Sequence, residues 1–384
     1  MALPFCLNPM LGTLPVYQPG RPIDEVAREL GLDPAGIIKL ASNENPLGPS
    51  PRALAAMQEA VRQVHLYPDG NAFHLKRKLA AHLALDPSCL TLGNGSNEII
   101  EILGHALLGP GTEVIVSEYC FAVYPIVARL FGSRLITVPA RDHGHNLAAM
   151  LRAVTPDTRL LFVANPNNPT GTLASAEEVR TLIEDLPEHV MLAMDEAYFE
   201  FLDHPLDLLP LVRSGRKPNL ILMRTFSKIH GLAGLRIGYG LGHPEFIAAL
   251  DTIRQPFNVN AVAQAAAAAA LDDVDHVRNT RRNNSDGLIQ LEQGFQRLGL
   301  AFVPSAANFV LVRVGQGQAV FERLQRSGII TRPMAGYRLP EWIRITVGTP
   351  SENARCLAVL GDVPGLAGTP PIGTSTSVAV STHS

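Results

Sequence analysis

The sequence predicts an α/β fold with a mainly parallel sheet that is covered by helices on both faces. From about residue 90 to about residue 240, short β-branched runs alternate with helical segments, as they do in repeated βαβ units. The pattern changes after Pro256-Phe257-Asn258. Strand candidates at 309–314 and 342–347 then flank a helical segment at 318–327, which predicts a smaller α+β domain.

The single elements follow from local patterns. An amphipathic helix is predicted at 22–30, and helical spacing at 51–66 and 72–85 brackets the turn Tyr67-Pro68-Asp69-Gly70. The strands predicted for the large sheet are 90–92, 113–116, 134–138, 159–164, 190–194 and 220–224. The helices predicted between and after them include 97–108, 124–131, 176–186, an alanine-rich helix at 261–271 and a charged helix ending at 296.

These segments divide the chain into four parts. We expect an N-terminal arm at 1–45 that joins the small domain, a large domain at 46–255, and a small domain at 256–362. The tail at 363–384 is rich in Gly, Pro, Ser and Thr, and this composition predicts disorder.

Composition narrows the functional class. A hydrophobic fraction of 46% with 17% charged residues is typical of a globular protein with a large core, and a net charge of −3 argues against a nucleic-acid-binding surface. No apolar run approaches the roughly 18 residues of a membrane span, and no signal peptide is visible. The 4 cysteines are scattered and the 12 histidines lack metal-binding spacing, so we expect reduced thiols, no metal and a cytoplasmic protein.

One loop organises the expected chemistry. Ligands of such sheets bind beyond the carboxyl ends of the strands, and the last predicted strand of the large sheet is followed by Thr225-Phe226-Ser227-Lys228, Gly231, Gly234 and Arg236. A lysine in this setting suits a Schiff base with an aldehyde cofactor. Ser227 and Arg236 would bind the anionic end of that cofactor. Taken alone, the motif is weak, because many loops carry a lysine beside glycine.

Three further loops support this interpretation. The stretch Gly93-Asn94-Gly95-Ser96-Asn97-Glu98 offers backbone N–H groups and a helix N-terminus to a phosphate. The turn Asn165-Pro166-Asn167-Asn168-Pro169-Thr170-Gly171 aims an asparagine amide over the strand ends. In Met194-Asp195-Glu196-Ala197-Tyr198, the aspartate can keep a ring nitrogen protonated. Each motif by itself can also be an ordinary turn, a helix cap or a solvated acid.

The order of these four loops resembles the fold type I enzymes that use pyridoxal 5′-phosphate (PLP), the aspartate aminotransferase superfamily, over roughly residues 10–360. Within it, the chain is most similar to the histidinol-phosphate aminotransferases. The stretches that carry this closer similarity are Tyr17-Gln18-Pro19-Gly20, Ser42-Asn43-Glu44-Asn45-Pro46, Tyr119-Cys120-Phe121-Ala122-Val123-Tyr124, Asp195-Glu196-Ala197-Tyr198, Arg332-Pro333-Met334 and Trp342-Ile343-Arg344-Ile345-Thr346-Val347-Gly348.

The resemblance implies catalytic roles around the cofactor ring. Lys228 would be the Schiff-base lysine that also shuttles a proton, and Asp195 would pair with the pyridinium nitrogen. Asn168 and Tyr198 would hydrogen-bond the ring hydroxyl oxygen, and Phe121 would stack on the ring.

The resemblance also implies how the cofactor phosphate is held. The amides of Ser96 and Asn97 would bind it together with Ser227 and Arg236. Thr225 is a further cofactor-binding residue. In an obligatory homodimer, Tyr67 would reach the phosphate of the neighbouring subunit's cofactor.

Substrate recognition would depend on two arginines. Arg344 would bind the α-carboxylate of glutamate, and Arg332 with Arg344 would serve the substrate phosphate or a carboxylate in turn. Tyr17 and Asn43 would line the substrate side. Arg338 departs from the family pattern, since it adds a positive charge between the two arginines.

The implied reaction is the transamination of L-histidinol phosphate with 2-oxoglutarate, giving imidazole-acetol phosphate and glutamate by a ping-pong mechanism through pyridoxamine phosphate. An aromatic-amino-acid aminotransferase and a threonine-phosphate decarboxylase share the PLP residues, so both stay open. A PLP-sensing transcription regulator would need an N-terminal DNA-binding domain with a basic helix, and the residues before the cofactor domain are few and mostly not basic.

Overall fold

A computed structural model describes residues 9–14 and 20–366. A short 3-10 helix at Pro9–Thr13 is followed by helix α1 (Ile23–Leu30) and strand β1 (Ile38–Lys39). Helix α1 carries two acidic residues in its first turn, which suits the helix dipole, and ends at Gly31 with φ of 64°. The predicted tail beyond residue 366 and the first eight residues lie outside the described residues.

A seven-stranded sheet forms the centre of the large unit. Its strands, in chain order, are β2 (Leu90–Gly93), β3 (Glu113–Ser117), β4 (Arg134–Val138), β5 (Thr158–Ala164), β6 (Met191–Asp195), β7 (Leu220–Thr225) and β8 (Gly238–Gly242). Their spatial order is β2-β8-β7-β6-β5-β3-β4, and β8 alone runs antiparallel to its neighbours. The predicted fold class is confirmed, and every predicted strand of this sheet agrees with the structure to within one residue at each end.

Helices cover both faces of this sheet. They are α2 (Pro51–Ala60), α3 (Phe73–Leu83), α4 (Ser96–Leu107), α5 (Val123–Leu130), α6 (Leu147–Arg152), α7 (Ala176–Asp185), α8 (Leu209–Ser214), α9 (Pro244–Ile253) and α10 (Ala261–Ala270). Successive residues of β5 point into two separate apolar cores, with Leu161 and Val163 on one face and Leu160 and Phe162 on the other. None of the described helices has the length and apolar character that a membrane crossing requires.

Strand β8 was not predicted from the sequence. Three of its five residues are glycine, a composition that is more typical of a loop than of a strand. The structure shows why glycine is needed at its start. A Cβ atom on Gly238 would lie 2.5 Å from the backbone nitrogen of Ser96 and 2.9 Å from the carbonyl oxygen of Arg224. The bare backbone therefore lets the start of α4 approach the sheet.

The smaller unit contains an antiparallel sheet and three helices. Its helices are α11 (Val274–Arg297), α12 (Gly317–Arg326) and α13 (Pro350–Gly361), and its strands are β9 (Phe302–Val303), β10 (Phe309–Arg313), β11 (Ile329–Ile330), β12 (Arg332–Pro333) and β13 (Trp342–Thr346). The sheet order is β12-β13-β10-β9, while β1 of the N-terminal arm pairs in parallel with β11.

The packing of α10 corrects one expected boundary. Residues from 256 onward were assigned above to the small domain. The alanines of α10, among them Ala263 and Ala266, instead lie in the same apolar core as Leu79 of α3 and Leu222 of β7. Small side chains allow this helix to lie close against α2, so α10 packs with the large unit and the smaller unit begins at α11.

Candidate active site

A cavity of about 190 Å³ lies where the carboxyl ends of the large sheet meet the smaller unit. Most residues that were predicted from the sequence to form the site line this cavity. They are Asn43, Ser96, Asn97, Phe121, Asn168, Asp195, Tyr198, Thr225, Ser227, Lys228, Arg236, Arg332 and Arg344. Five loops of the large unit, the end of the N-terminal arm and two strands of the smaller unit therefore converge on one space.

Lys228 lies in a tight turn directly after β7. The hydroxyl oxygen of Thr225 accepts a hydrogen bond from the Ser227 N–H at 3.1 Å, which bends the chain back over the strand end. The Nζ atom of Lys228 donates to the carbonyl oxygen of Ser42 at 3.1 Å. The amine is thus held inside the cavity by the arm that closes it.

The surroundings of Lys228 favour its neutral form. Burial and the positive charges of Arg344 and Arg236 lower the pKa of its amine to about 8, although Glu44 and Asp195 act in the opposite direction. The neutral amine is the nucleophilic form. The lowered pKa therefore increases the fraction of Lys228 that can attack a carbonyl carbon near neutral pH.

Asp195 and Glu196 are adjacent buried carboxylates with different partners. Burial raises the pKa of both groups. Glu196 faces away from the cavity and forms an ion pair with the Nε of Arg224 at 2.8 Å. Asp195 accepts hydrogen bonds from the Tyr124 hydroxyl at 2.7 Å and from the Ala197 N–H at 3.1 Å, and no ion pair joins it to a cation among the residues that the structure describes. A cationic group within the cavity would complete its environment.

Aromatic and amide groups surround the middle of the cavity. The Tyr198 hydroxyl accepts a hydrogen bond from Asn43 Nδ2 at 2.8 Å, and burial raises the pKa of this phenol to about 12, so it keeps its proton as a donor. Asn43 is itself fixed, because its N–H donates to the Thr346 hydroxyl at 3.0 Å. Phe121 lies edge-on to Tyr124, with ring centroids 5.7 Å apart, at the wall of the cavity.

One end of the cavity is built for an anion. Helix α4 begins at Ser96, after Gly95 with φ of 72°, and the first N–H groups of a helix have no partner within it. Arg236 lies opposite, with Nη1 at 3.5 Å from the Ser227 hydroxyl. A Cβ atom on Gly95 would lie 2.5 Å from Arg236 Nη2, so only glycine lets the loop and the guanidinium close around the same point.

The other end carries two arginines from the smaller unit. Arg344 on β13 is buried; its Nη1 donates to Asn168 Oδ1 at 2.6 Å and its Nη2 donates to the Ala41 carbonyl oxygen at 2.9 Å. Arg332 on β12 is directly opposite Arg344 in the strand register. Two guanidinium groups on neighbouring strands suit a carboxylate or a phosphate.

The donor set fits PLP. The phosphate would be held at the α4 terminus and Arg236, the ring nitrogen would meet Asp195, and the aldehyde carbon would meet Lys228. The two features of the structure that fit best are the cradle that a Cβ at Gly95 would fill and the buried carboxylate of Asp195, which forms no ion pair with any residue that the structure describes.

Comparison with known proteins gives the family. The model of the family "Aminotransferase class I and II" matches residues 35–360, which is most of the chain. The chain belongs to this family.

The chain is similar to individual members of the family over nearly its full length. The chain is 49% identical to a histidinol-phosphate aminotransferase of Akkermansia muciniphila, over 91% of this chain and 96% of that protein. It is 52% identical to histidinol-phosphate aminotransferase 2 of Ralstonia nicotianae, over 90% and 93% of the two chains. A solved histidinol-phosphate aminotransferase of Sinorhizobium meliloti in complex with PLP superposes with a TM-score of 0.84 at 33% identity, covering 93% and 96% of the two chains.

Of the predicted site residues, one lies away from the cavity and another cannot be placed relative to it. Tyr67 is 84% exposed and its ring stacks on Phe257, with centroids 5.0 Å apart. Tyr17 lies outside the described residues. Arg338, the departure from the family pattern, is exposed on the turn after β12 and lines a neighbouring cleft that also includes Arg332.

Sequence reasoning missed several residues that contact the site. Tyr124 was quoted as part of a family stretch, but its hydrogen bond to Asp195 was not anticipated. Ser42 holds Lys228 through a backbone carbonyl, which leaves no side-chain signal in the sequence. Tyr337 lines the cavity, as the two arginines of the smaller unit do.

Proposed function

We propose that this member of the family transfers the amino group of L-histidinol phosphate to 2-oxoglutarate with PLP as cofactor, forming imidazole-acetol phosphate and glutamate in histidine biosynthesis. The observation that carries the proposal is a cavity with an anion cradle that holds both Lys228, whose surroundings favour the neutral amine, and the buried Asp195, which forms no ion pair among the described residues. Relatives that are about half identical to the chain and bear the name histidinol-phosphate aminotransferase support the choice of substrate.

Bound PLP supplies the electron sink that the substrate Cα–H bond requires before it can ionise. Lys228 Nζ would take the proton from the substrate Cα and deliver it to the carbon that was the aldehyde carbon of the cofactor. Asp195 stays ionised beside a cationic ring nitrogen, since an opposite charge within a buried site favours the charged carboxylate. Tyr198 keeps its proton and orients the ring oxygen through its hydroxyl.

The arginine pair explains how one site serves two different substrates. Arg344 is fixed by Asn168 and Ala41 and offers a rigid fork to the α-carboxylate of glutamate. Arg332 lies across the strand pair and would meet the phosphate of histidinol phosphate. Because both anions bind guanidinium groups well, the site can accept the two substrates in turn.

The working unit in this proposal is a homodimer. Apolar side chains are exposed together around the turn between α2 and α3 and on the nearby segment after α9, and they include Val64, Leu66, Tyr67, Phe73 and Phe257. Patches of this kind mark protein contact surfaces. Tyr67, which is exposed and does not line the cavity of its own subunit, would reach the cofactor phosphate of its partner.

A cytoplasmic location is part of the proposal. The three described cysteines, Cys89, Cys120 and Cys356, are buried free thiols, which is typical of a reducing compartment. The substrates proposed are small metabolites of amino-acid biosynthesis.

The decisive experiment is a half-reaction. PLP-loaded protein is mixed with L-histidinol phosphate, phenylalanine or O-phosphothreonine, and the visible absorbance of the lysine-bound cofactor is followed. Rapid loss with histidinol phosphate, reversed by 2-oxoglutarate, is the expected result. Faster loss with phenylalanine would make the enzyme an aromatic aminotransferase, and release of carbon dioxide from O-phosphothreonine would make it a decarboxylase.

A subunit-mixing experiment tests the dimer. Lys228→Ala dimers and Tyr67→Phe dimers should each be poorly active at limiting PLP. If Tyr67 acts across the interface, a mixed dimer contains one intact site, and random mixing recovers about a quarter of the wild-type activity. No recovery, with mixed dimers present by mass spectrometry, would contradict the proposed role of Tyr67.

A further inference from the structure

An acidic side chain lies next to the proposed phosphate cradle. Glu98 is in the first turn of α4, two residues after the N–H of Ser96 that faces the cavity. A free carboxylate there would repel a phosphate group. The structure instead turns the side chain back toward the preceding loop, where Oε2 accepts hydrogen bonds from the Asn94 N–H at 2.6 Å and from Asn94 Nδ2 at 3.3 Å.

A third donor to Glu98 comes from a distant part of the chain. Asn258, in the segment after α9, donates from Nδ2 to Glu98 Oε2 at 2.7 Å and to the Leu92 carbonyl oxygen at 3.0 Å. Its own carbonyl oxygen accepts from Asn94 Nδ2 at 2.7 Å, and its Oδ1 accepts from Arg254 Nη1 at 2.7 Å. Both donors and the acceptor of the Asn258 side-chain amide are therefore used. Together with the bond from Asn94, these contacts fix the loop between β2 and α4 to the segment after α9.

The backbone before Asn258 is shaped for this contact. Phe257 has φ of 56°, a left-handed conformation that costs a non-glycine residue about 1 kcal/mol or more. This turn sends the Phe257 ring outward onto Tyr67 and the Asn258 amide inward onto Glu98. Such strain persists only where the surrounding contacts outweigh it.

We propose that Asn258 is a positioning residue for the cofactor phosphate and that it acts through Glu98 and Asn94, which rests on the proposed assignment of the phosphate to the start of α4 and Arg236. Three N–H groups donate hydrogen bonds to the Glu98 carboxylate and hold it away from the cradle. The Asn94 N–H is consumed by this contact, which leaves the amides of Ser96 and Asn97 as the groups presented to the phosphate.

The loop has little room to adjust by itself. A Cβ atom on Gly93 would lie 2.9 Å from Ile99 Cδ1 and 3.2 Å from Glu98 Oε2, so backbone and side chains already touch. When the Asn258 amide is removed, Glu98 loses a charge-assisted hydrogen bond and its carboxylate becomes free to turn toward the phosphate. The substitution should therefore weaken the binding of ligands that carry a phosphate.

The test compares PLP with pyridoxal, which has the same ring and aldehyde but no phosphate. Full-length protein is resolved of its cofactor, and the dissociation constants of both compounds are measured by absorbance and by quenching of protein fluorescence. Asn258→Ala should weaken PLP binding by about tenfold and change pyridoxal binding by less than about twofold. Asn219→Ala is the matched control, because Asn219 is also buried and also joins two loops, through the Val190 and Pro187 carbonyl oxygens, but it lies at the amino ends of the central strands β6 and β7, whereas the cavity is at their carboxyl ends.

One further variant separates the possible failures. Arg236→Ala should reduce the preference for PLP over pyridoxal whether or not Asn258 matters. If Arg236→Ala and Asn258→Ala both leave the preference unchanged, the assignment of the phosphate to this cradle is wrong. If only Arg236→Ala changes it, or if Asn258→Ala weakens both ligands equally, Asn258 has a purely structural role and the inference fails.

A double substitution tests the route of the effect. Since Asn258 is proposed to act through Glu98, Glu98→Ala with Asn258→Ala should weaken PLP binding no more than the more damaging single change. Additive losses would show that Asn258 acts on the cradle by another path, and that result would overturn the proposed mechanism.

Discussion

The two ends of the cavity are built in different ways. The anion cradle uses backbone amides at the start of α4 and neighbouring residues of the same large unit, such as Ser227 and Arg236. The arginine end combines Arg344 and Arg332 from the smaller unit with Asn168 from the large unit and Ala41 from the N-terminal arm. Within one subunit, the cradle therefore draws only on the large unit, whereas the arginine end exists only when three parts of the chain are packed together.

This difference suggests a division of labour. A cofactor that stays bound through every turnover is well served by a cradle that is independent of the smaller unit. Substrates enter and leave, and residues that belong to separate units can adjust to each of them. Changes at the cradle should consequently alter cofactor affinity, and changes at the arginine end should alter substrate selectivity.

The largest effect is expected where the two ends meet, at Lys228. Lys228→Ala should lower transamination by about 10⁴-fold or more, because the variant loses both the nucleophile and the proton carrier. PLP should still bind through its phosphate, without the visible absorbance of the lysine-bound form. Turnover and spectra of Lys217→Ala provide the comparison, because Lys217 is a partly exposed lysine outside the cavity that donates to the Glu184 carbonyl oxygen. A Lys228→Ala protein that keeps both signals would refute the assignment.

A crossed pair of arginine substitutions tests the division directly. Arg236→Lys should weaken PLP binding by about tenfold and leave the ratio of kcat/KM for the two substrates unchanged at saturating PLP. Arg344→Lys should leave PLP affinity within about twofold and lower kcat/KM for glutamate by about 10- to 100-fold, since lysine cannot form the same fork. Equal effects of both variants on cofactor and substrate would mean that the ends are not separate.

The residues of the cradle end are easier to recognise together in the sequence for a physical reason. The parts of this end are short contiguous loops that follow strands, so Ser96, Asn97, Ser227 and Lys228 are recognisable from local residue types and order. The contact between Arg344 and Asn168 joins residues 176 positions apart, and no local pattern predicts it. The strand β8, the packing of α10 and the bond from Tyr124 to Asp195 were missed because each depends on tertiary contact.

The pH dependence of cofactor capture should report the influence of the arginine end on Lys228. Below its pKa of about 8 the amine is mostly protonated, so the rate of covalent capture of PLP by cofactor-free protein should rise about tenfold per pH unit and level off above that pH. Arg344 helps to lower this pKa. Arg344→Gln should therefore move the midpoint to higher pH, while Arg344→Lys, which keeps the charge, should move it less. An unshifted midpoint in Arg344→Gln would show that the two ends are electrostatically uncoupled.

The smallest expected effect lies behind the cavity, at Glu200. Burial raises the pKa of its carboxyl to about 7, although Arg224 opposes this, and its Oε2 has no hydrogen-bond partner. Because the folded pKa exceeds the ordinary value of 4.5, the folded protein holds this proton more tightly than the unfolded chain, and the stability that it contributes is present below about pH 4.5 and lost as the pH rises through about 7. Glu200→Gln should thus raise Tm by about 1 to 2 °C at pH 8 and by less at pH 5.

Exposed Glu188, substituted to Gln, is the control for this measurement. Glu200 lies beside the Glu196–Arg224 ion pair on the side of β6 that faces away from the cavity. Neither PLP affinity nor the substrate ratio should therefore change in Glu200→Gln. A change in PLP affinity would show that the charges behind Asp195 contribute to the cofactor end, and the cradle would then not be self-contained. A gain in Tm that is equal at both pH values would instead indicate that the carboxyl of Glu200 is ionised in the folded protein throughout this range.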